Sequence, residues 1–339
     1  MYLVTNGRLI TRDPDGKGYY EHGAVAYEGS KIVEVGEESV LRAKYADAQI
    51  IDAKGGVIMP ALINAHTHIY SALARGLSIV GNNPTNFYEV LDGTWWAIDR
   101  HLMLDGTRAS ATALYMDSIK QGVTTIFDHH ASYGEIPGTL HTIAEESKRL
   151  GLRSCLCYEV SDRDGEEKCL QAIQENADFI TECEKNKDPM LAAMFGGHAL
   201  FTISDKTFDR MVEANNGRTG YHIHVSEGMN DVYDSLQNYG RRPVQRLQDH
   251  GILGEKTILG HCIHVNTAEM EIIKETGTMV VNNPESNMGN AIGICPVLQL
   301  HKRGILLGMG TDAYTNDMLE SIKVALCSQR SQNCLPNVG

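Results

Sequence analysis

The 339-residue sequence lacks the features that would assign it to a membrane, secreted or nucleic-acid-binding class. No apolar run approaches the roughly 18–20 residues needed to cross a bilayer, and the first residues lack the basic and apolar segments of a secretory signal. Lys and Arg number 30 against 43 Asp and Glu, and the formal net charge of −13 disfavours nucleic acids and anionic membranes as partners. We therefore expect a cytoplasmic protein with no nucleic-acid or membrane partner.

The eight cysteines include no Cys-x-x-Cys pair. This absence argues against a zinc ribbon or a thioredoxin-like redox site, and without a secretory signal the thiols are expected to be reduced. What the chain does have is a near-average globular composition, with 42% hydrophobic and 22% charged residues. Such a chain can bury a sizeable core in one large domain, or in one large and one small domain.

Two patterns of apolar residues divide the chain into residues 1–59 and residues 60–339. The first part alternates short apolar and polar segments with turn signals such as Asp15-Gly16, which predicts a small antiparallel β unit without room for its own core. In the second part short apolar strands alternate with amphipathic helices, which predicts an α/β fold, the (β/α)8 TIM barrel. The predicted strands are 57–65, 123–127, 153–158, 191–195, 220–225, 257–259, 278–281 and 305–309, and the predicted helices include 105–121, 138–150, 166–185, 205–215, 241–250, 267–275 and 317–329.

The strongest chemical signal is the pair His66 and His68 at the end of the first predicted barrel strand. Residues two apart on a strand point to the same face, so both imidazoles can reach a single cation. Two histidines in this setting resemble half of a catalytic metal site. A chain with 14 histidines also produces such pairs by chance, so the assignment depends on further ligands elsewhere in the chain.

Polar residues at the ends of other predicted strands supply those ligands. Active sites of (β/α)8 barrels lie at the carboxyl ends of the strands. Strand five ends in His222 and His224 and leads to Glu227, strand six ends in His261, and strand eight leads to Asp312. Three imidazoles and a carboxylate suit a hydrolytic Zn²⁺ or Fe²⁺ site, in which bound water is acidified towards a pKa of about 7. His222 and His224 share a face, so spacing alone does not decide which of them is a ligand.

The chain resembles the amidohydrolase superfamily, in its triazine-hydrolase and cytosine-deaminase-like branch. The resemblance covers nearly the whole chain and rests on five ordered motifs: Ile63-Asn64-Ala65-His66-Thr67-His68, His224-x-x-Glu227, Gly260-His261-Cys262, Asn283-Pro284-x-Ser286-Asn287-Met288 and Gly310-Thr311-Asp312. Within that branch the chain most resembles SsnA-type aminohydrolases, through Trp95-Trp96-x-x-Asp99-Arg100 and Asp128-His129-His130-Ala131-Ser132.

This resemblance implies a metal-dependent aminohydrolase that uses a metal-bound hydroxide to release ammonia from a planar nitrogen heterocycle, such as a purine, pterin or pyrimidine base. Glu227 and Asp312 would transfer protons, and His261 would polarise the attacked centre or steady the hydroxide. Family members that bridge two metals carry a carboxylated lysine at the end of strand four, where this chain has none. The resemblance therefore implies one divalent ion, expected to be Zn²⁺ with Fe²⁺ as the alternative, and its ligands would be His66, His68, His224 and Asp312.

Three more residues are candidates for substrate contact. His198 ends the fourth strand, His129 ends the second, and Trp96 lies in the long segment after the first, where it could form an aromatic wall for a planar ring. Ordinary burial or a loop position is the alternative for each of them. Relatives with nucleoside substrates place an acid after strand one, and here Asp99 is slightly out of register, so a free base is expected rather than a nucleoside.

The resemblance also implies that residues 1–59 form part of a composite β-sandwich, and that the protein is a homodimer acting on a small molecule. Family members continue for about a hundred residues past the strand-eight aspartate to close this architecture. We therefore expect the chain to be a fragment. Three alternatives to deamination are hydrolytic dechlorination at the same site, hydrolysis of a ring C–N bond, and metal binding without turnover in a truncated relative.

Overall fold

The computed structural model describes residues 1–77 and 79–338. It divides into two compact units, of which one comprises Met1–Ala61 and the other begins at Leu62. Sequence patterning placed the boundary between residues 59 and 60, and the assignment of the first unit to a composite domain stays a prediction. In the described part of the chain, every helix is too short or too polar to span a bilayer.

The N-terminal unit is a single mixed sheet of five strands, β1 (Tyr2–Ile10), β2 (Tyr19–Glu28), β3 (Lys31–Glu37), β4 (Gln49–Asp52) and β5 (Val57–Ile58), with helix α1 (Glu38–Lys44). The predicted turn at Asp15-Gly16 lies between β1 and β2, and β1–β2 and β2–β3 pair antiparallel as expected. The prediction of an antiparallel unit is wrong for β4 and β5, which pair parallel to β1 because α1 returns the chain to the start of the sheet. The unit also has a small core, formed by Leu3, Ala24, Ala26 and Leu41.

The second unit is built from parallel strands in the order expected for a barrel. The strands are β6 (Leu62–Thr67), β7 (Val123–His130), β8 (Arg153–Tyr158), β9 (Leu191–Ala193), β10 (Phe195–Ala199), β11 (Tyr221–Val225), β12 (Ile258–His261), β13 (Met279–Asn282) and β14 (Leu307–Met309). They form the runs β6-β7-β8-β9 and β10-β11-β12-β13-β14. Bridges between Thr67 and Asp312 and between Val160 and Gly197 join the two runs at both edges, which closes a barrel of eight strand positions.

Helices follow most of these strands along the chain. They are α2 (Phe87–Val90), α3 (Trp96–Asp99), α4 (Leu104–Lys120), α5 (Thr139–Leu150), α6 (Glu166–Asn186), α7 (Asp205–Asn215), α8 (Met229–Tyr239), α9 (Pro243–Asp249), α10 (Thr267–Glu275), α11 (Pro284–Gly289), α12 (Val297–Lys302) and α13 (Met318–Asn333). The local sequence accounts for their ends. At α10, the Asn266 side chain accepts from the Glu269 amide and the Glu269 carboxylate accepts from the Asn266 amide, a capping box.

Two predicted strands differ from the structure in ways that affect the site. The run 57–65 is two strands, because β5 pairs with β1 in the N-terminal sheet and the barrel strand begins only at Leu62. The fourth barrel position is split into β9, which pairs with β8, and β10, which pairs with β11. Helix α8 was not predicted. It follows Glu227 directly, and its Asp231 carboxylate accepts from the amides of Ser226 and Phe201, which fixes the loops after two barrel strands.

Candidate active site

The ends of three strands bring the four predicted metal ligands together. His66 lies in β6 and His68 follows it, His224 lies in β11, and Asp312 follows β14. All four side chains are buried. His68 Nε2 lies 3.1 Å from Asp312 Oδ1 and 3.2 Å from His224 Nε2. His66, His68 and Asp312 each offer one candidate ligand atom, and these three atoms lie within 4.8 Å of one another.

The hydrogen bonds of these histidines fit a bound cation. The Nδ1 atoms of His68 and His224 lie 2.5 Å and 2.8 Å from the carbonyl oxygens of His129 and His198, so each Nδ1 carries the proton. In the neutral form of each ring, Nε2 then carries a lone pair that can face a cation. His66 Nε2 is buried and makes no hydrogen bond within the described residues. Three unprotonated nitrogens beside a carboxylate are the donor set that Zn²⁺ or Fe²⁺ takes.

The backbone is strained where it presents these groups. Four non-glycine residues at the barrel mouth have left-handed φ angles: Ser226 at 49°, His261 at 68°, Cys262 at 47° and Asp312 at 55°. Such conformations cost of order 1–3 kcal/mol each for residues with a Cβ and cluster at functional sites. With φ angles of the β region, the backbone would direct the side chains of His261 and Asp312 away from the site.

A second cluster joins Glu227, His261 and Asp312 beside the ligands. His261 Nε2 lies 3.6 Å from Glu227 Oε1 and 3.4 Å from Asp312 Oδ2. His261 Nδ1 lies 2.7 Å from Asn287 Oδ1, and the Ser286 hydroxyl donates to Asp312 Oδ2 at 2.6 Å. The Ser286 hydroxyl and the Asn287 amide, both in α11, thereby fix the side chains of Asp312 and His261, which face Glu227.

The two carboxyl groups of this cluster have pKa values shifted in opposite directions. Burial raises the pKa of Glu227 well above its ordinary value, and the charge of Asp312 raises it further. Burial would also raise the pKa of Asp312, but its hydrogen bond and charge interaction with His68 outweigh burial and lower it. Two carboxyl groups with diverging pKa values can act as a proton donor and a proton acceptor at one pH.

The protonation of His68 couples metal binding to pH. Burial would lower the pKa of His68, but the hydrogen bond and charge of Asp312, with the charge of Glu159, outweigh it and raise the pKa to about 9. The pKa values of His66 and His224 are lowered well below the ordinary range by burial and by neighbouring imidazoles. Without a metal, His68 is therefore protonated at neutral pH, whereas the other two histidines are not.

Metal binding is accordingly expected to release one proton from His68 below pH 9. Because that proton must leave Nε2 before a cation can bind there, affinity should rise by about tenfold per pH unit below about pH 7, where metal-bound water does not yet ionise. Competition against a chelator of known affinity at several pH values measures this slope. Calorimetry in two buffers of different ionisation enthalpy counts the proton. An affinity that is constant between pH 6 and 9 would contradict it.

His222 lies behind the candidate ligands and contacts one of them. Its Nε2 lies 2.8 Å from His66 Nδ1, so it orients the ring of His66. We expect His222→Asn to weaken metal affinity by about 10–100-fold, the usual cost of removing a partner of a ligating histidine. The same titration on His264→Asn is the control, since His264 contacts the Ile292 carbonyl instead. Equal affinities in the two variants would contradict this role.

Two of the three predicted substrate contacts line the pocket above the ligands. His198 and Trp96 lie on its wall, together with Tyr70, Phe87, Leu91, Trp95, Glu159, Glu227 and Asn290. Burial lowers the pKa of His198 to about 3, so its ring is neutral. Trp96 packs edge-on against His198, with ring centroids 5.8 Å apart, and the Arg163 guanidinium lies over its ring.

The structure places His129 behind the pocket wall rather than on it. Its ring is fully buried, with Nε2 3.0 Å from the carbonyl oxygens of Gly197 and His222 and Nδ1 3.0 Å from Glu159 Oε1. The backbone fixes this position, because alternation along β7 turns His129 into the barrel below the mouth. Asp99 is also unavailable for substrate contact, because it is buried and forms an ion pair with Arg163.

Sequence reasoning missed Glu159, which lies on the pocket wall one residue after β8. The signal was available, because a polar residue directly after a barrel strand is what identified the other site residues. Tyr70 and Phe87 were also missed. They lie in the segment after β6, whose sequence has no periodic pattern that predicts which side chains point into the pocket.

Comparisons with known proteins identify the family of this chain. The amidohydrolase family profile matches residues 57–338. The 5'-deoxyadenosine deaminase of Methanosarcina barkeri is 30% identical over 328 residues, which cover 95% of this chain and 72% of the relative. The 5-methylthioadenosine/S-adenosylhomocysteine deaminase of Syntrophobacter fumaroxidans is 32% identical over 314 residues, 91% of this chain and 68% of the relative.

The fold also resembles the folds of solved structures. An adenosine deaminase from Xanthomonas campestris, solved with bound zinc, superposes with a TM-score of 0.83 at 23% identity and covers 99% of this chain and 75% of that chain. The α/β barrel predicted from the strand and helix pattern is thus confirmed as TIM-barrel-like. With a matching profile over most of its length and a relative of 32% identity, the chain belongs to the amidohydrolase family.

Proposed function

We propose that this protein is a metal-dependent aminohydrolase that releases ammonia from an amino-substituted, planar nitrogen heterocycle. The observation that carries the proposal is the pair Glu227 and Asp312, two carboxyl groups with opposite pKa shifts at the edge of a three-histidine cluster. A site that only binds metal has no need of a protonated carboxyl group 3.6 Å from His261. The names of the curated relatives, which are deaminases of adenine nucleosides, point in the same direction.

The cation is proposed to be one Zn²⁺ held by His66, His68, His224 and Asp312. The zinc in the related Xanthomonas structure supports this choice over Fe²⁺. In this donor set a divalent ion would lower the pKa of bound water to about 7 and would supply a hydroxide nucleophile at neutral pH. Asp312 would offer its Oδ1 atom to the ion, because Oδ2 accepts a hydrogen bond from the Ser286 hydroxyl.

The protein groups account for the proton movements of deamination. Asp312 is ionised and accepts a proton as the nucleophile forms. Glu227 is protonated and donates to the ring nitrogen next to the attacked carbon. Asp312 passes the proton it accepted to the exocyclic amine, which leaves as ammonia, and the Glu227 carboxylate takes up the remaining hydroxyl proton as the ring carbonyl forms. His261 is neutral, because burial lowers its pKa, and its fixed ring limits where the nucleophile can lie.

The pocket wall favours a flat, uncharged ring. Tyr70, Trp95 and Trp96 line it, and aromatic faces stack on planar heterocycles. Asp99 is paired with Arg163 and is not free to bind a ribose hydroxyl, so we propose a free base in preference to a nucleoside. An SsnA-type assignment within the family, a cytoplasmic location and a homodimer stay predictions.

A panel of amino-heterocycles tests the proposal. Metal-loaded protein is incubated with adenine, 5'-deoxyadenosine, guanine, cytosine and pterin, and ammonia is measured by a coupled assay. Ammonia from at least one compound is expected, with free bases ahead of the nucleoside. Protein that holds a stoichiometric ion but releases no ammonia from any of them would overturn the proposal. The metal is identified in the same samples by elemental analysis.

A further inference from the structure

Glu159 is a buried carboxyl group that the proposed deamination does not use. It follows β8, its side chain is 3% exposed, and it lines the same pocket as Glu227 and Asp312. A carboxylate buried to this degree is costly unless its oxygens are hydrogen-bonded. The partners of its two oxygens are therefore informative.

The Oε1 atom of Glu159 is held by one hydrogen bond and lies close to a second histidine. It lies 3.0 Å from His129 Nδ1 and 3.4 Å from His68 Nδ1. The other nitrogen of His129 lies 3.0 Å from two backbone carbonyl oxygens, so both nitrogens of that ring face acceptors. This arrangement fixes the carboxylate in one orientation.

The Oε2 atom has no hydrogen-bond partner within the described part of the chain. It lies 3.9 Å from His198 Nε2, which is too far for a hydrogen bond. His198 Nδ1 lies 2.8 Å from Thr202 Oγ1, whose own hydrogen is donated to the Ala199 carbonyl, so Nδ1 donates and Nε2 presents a lone pair. The pocket wall at this point therefore places two acceptors, Glu159 Oε2 and His198 Nε2, next to each other.

We propose that Glu159 determines specificity by accepting, at Oε2, a hydrogen bond from a ring or exocyclic N–H of the heterocycle. The inference rests on the proposed function and narrows its substrate class. His68 has Asp312 at one ring nitrogen and Glu159 at the other, so one imidazole separates the two carboxyl groups, a span that a single heterocycle can bridge. Substrates are rings that carry an N–H on the side away from the attacked carbon. Rings that present only lone pairs there are rejected.

Two non-substrate probes of the same shape test this without turnover. Benzimidazole carries a ring N–H, and benzoxazole has an oxygen in its place and no N–H donor. Calorimetry on the metal-loaded protein is expected to give at least about tenfold tighter binding of benzimidazole, because benzoxazole leaves a buried carboxylate oxygen unpaired. In Glu159→Gln the preference should fall to less than about threefold, because an amide can present either a donor or an acceptor. Glu146→Gln, a buried glutamate that pairs with Arg108 and Arg149, should keep the full preference.

Because Glu159 also approaches His68, the metal content of each variant is measured first. If the glutamine variant does not retain the ion, Glu159→Asp, which keeps the charge and withdraws it from the ligand, is expected to lower the preference in the same direction. Equal binding of the two probes by the wild type overturns the inference, as does a preference that survives the change at Glu159. Failure of the ammonia panel alone would instead overturn the proposed function, since probe binding requires no catalysis.

Discussion

Replacing Glu227 by glutamine is expected to lower kcat for ammonia release by about 10²–10⁴-fold, the range that general acid–base groups contribute. Glutamine keeps the shape and the polar contacts of the side chain but cannot donate a proton and take it back. Because Glu227 is not among the proposed ligands, the variant should retain its ion. Steady-state kinetics, together with elemental analysis of the same protein, measure both quantities.

The pH profile gives this prediction a second readout. In the wild type, activity should fall as pH rises through the elevated pKa of Glu227, because the acid is then lost. That alkaline limb should disappear in the glutamine variant. Glu146→Gln should match the wild type in kcat and in profile. Loss of the ion from Glu227→Gln, or an unchanged kcat, would contradict the assigned role.

Replacing His66 by asparagine is expected to remove tightly bound metal and, with it, activity. The buried Nε2 of His66 makes no hydrogen bond within the described residues, and asparagine has no imidazole nitrogen to replace it. The loss of affinity should exceed the upper bound of about 100-fold expected for His222→Asn, which only orients His66. Metal per chain after dialysis, and the shift of Tm on adding Zn²⁺, measure this loss.

The surface variant His141→Asn is the control, because that side chain is 55% exposed and pairs only with glutamates. It should bind one ion with wild-type affinity. If His66→Asn retained stoichiometric, tightly bound metal, the proposed ligand set would be wrong, since the remaining donors would then suffice.

Much of the barrel was predictable because its signals are local. Short apolar runs bounded by turn residues located the strand at 153–158 to the residue, and amphipathic periodicity located helices such as α7 (Asp205–Asn215). Pairing partners are not local. The run from Val57 reads as one strand, but its first two residues pair with β1 in the N-terminal sheet while Leu62–Thr67 enters the barrel. No property of the run itself distinguishes these two destinations.

The positions of the candidate ligands were predictable, and those of the pocket walls less so. The family motifs selected His66, His68, His224 and Asp312, and the structure places these side chains close together, while their role as ligands stays a prediction. His129 was expected on the wall and lies behind it, whereas Glu159 was not predicted and lies on it. The two positions differ in depth along the barrel axis. Sequence spacing does not determine the depth at which a side chain lies.

Residue order alone determined which side chains could carry the chemistry, because strand alternation and repeated strand–helix units fix which groups end at the same rim of a barrel. Only the tertiary structure decided what each group does there. Left-handed turns aim His261 and Asp312, burial separates the pKa values of Glu227 and Asp312, and the packing of His129 leaves one oxygen of Glu159 free. Proton affinity and hydrogen-bonding capacity depend on the neighbours and the solvent around an atom, and those are set by the folded chain as a whole.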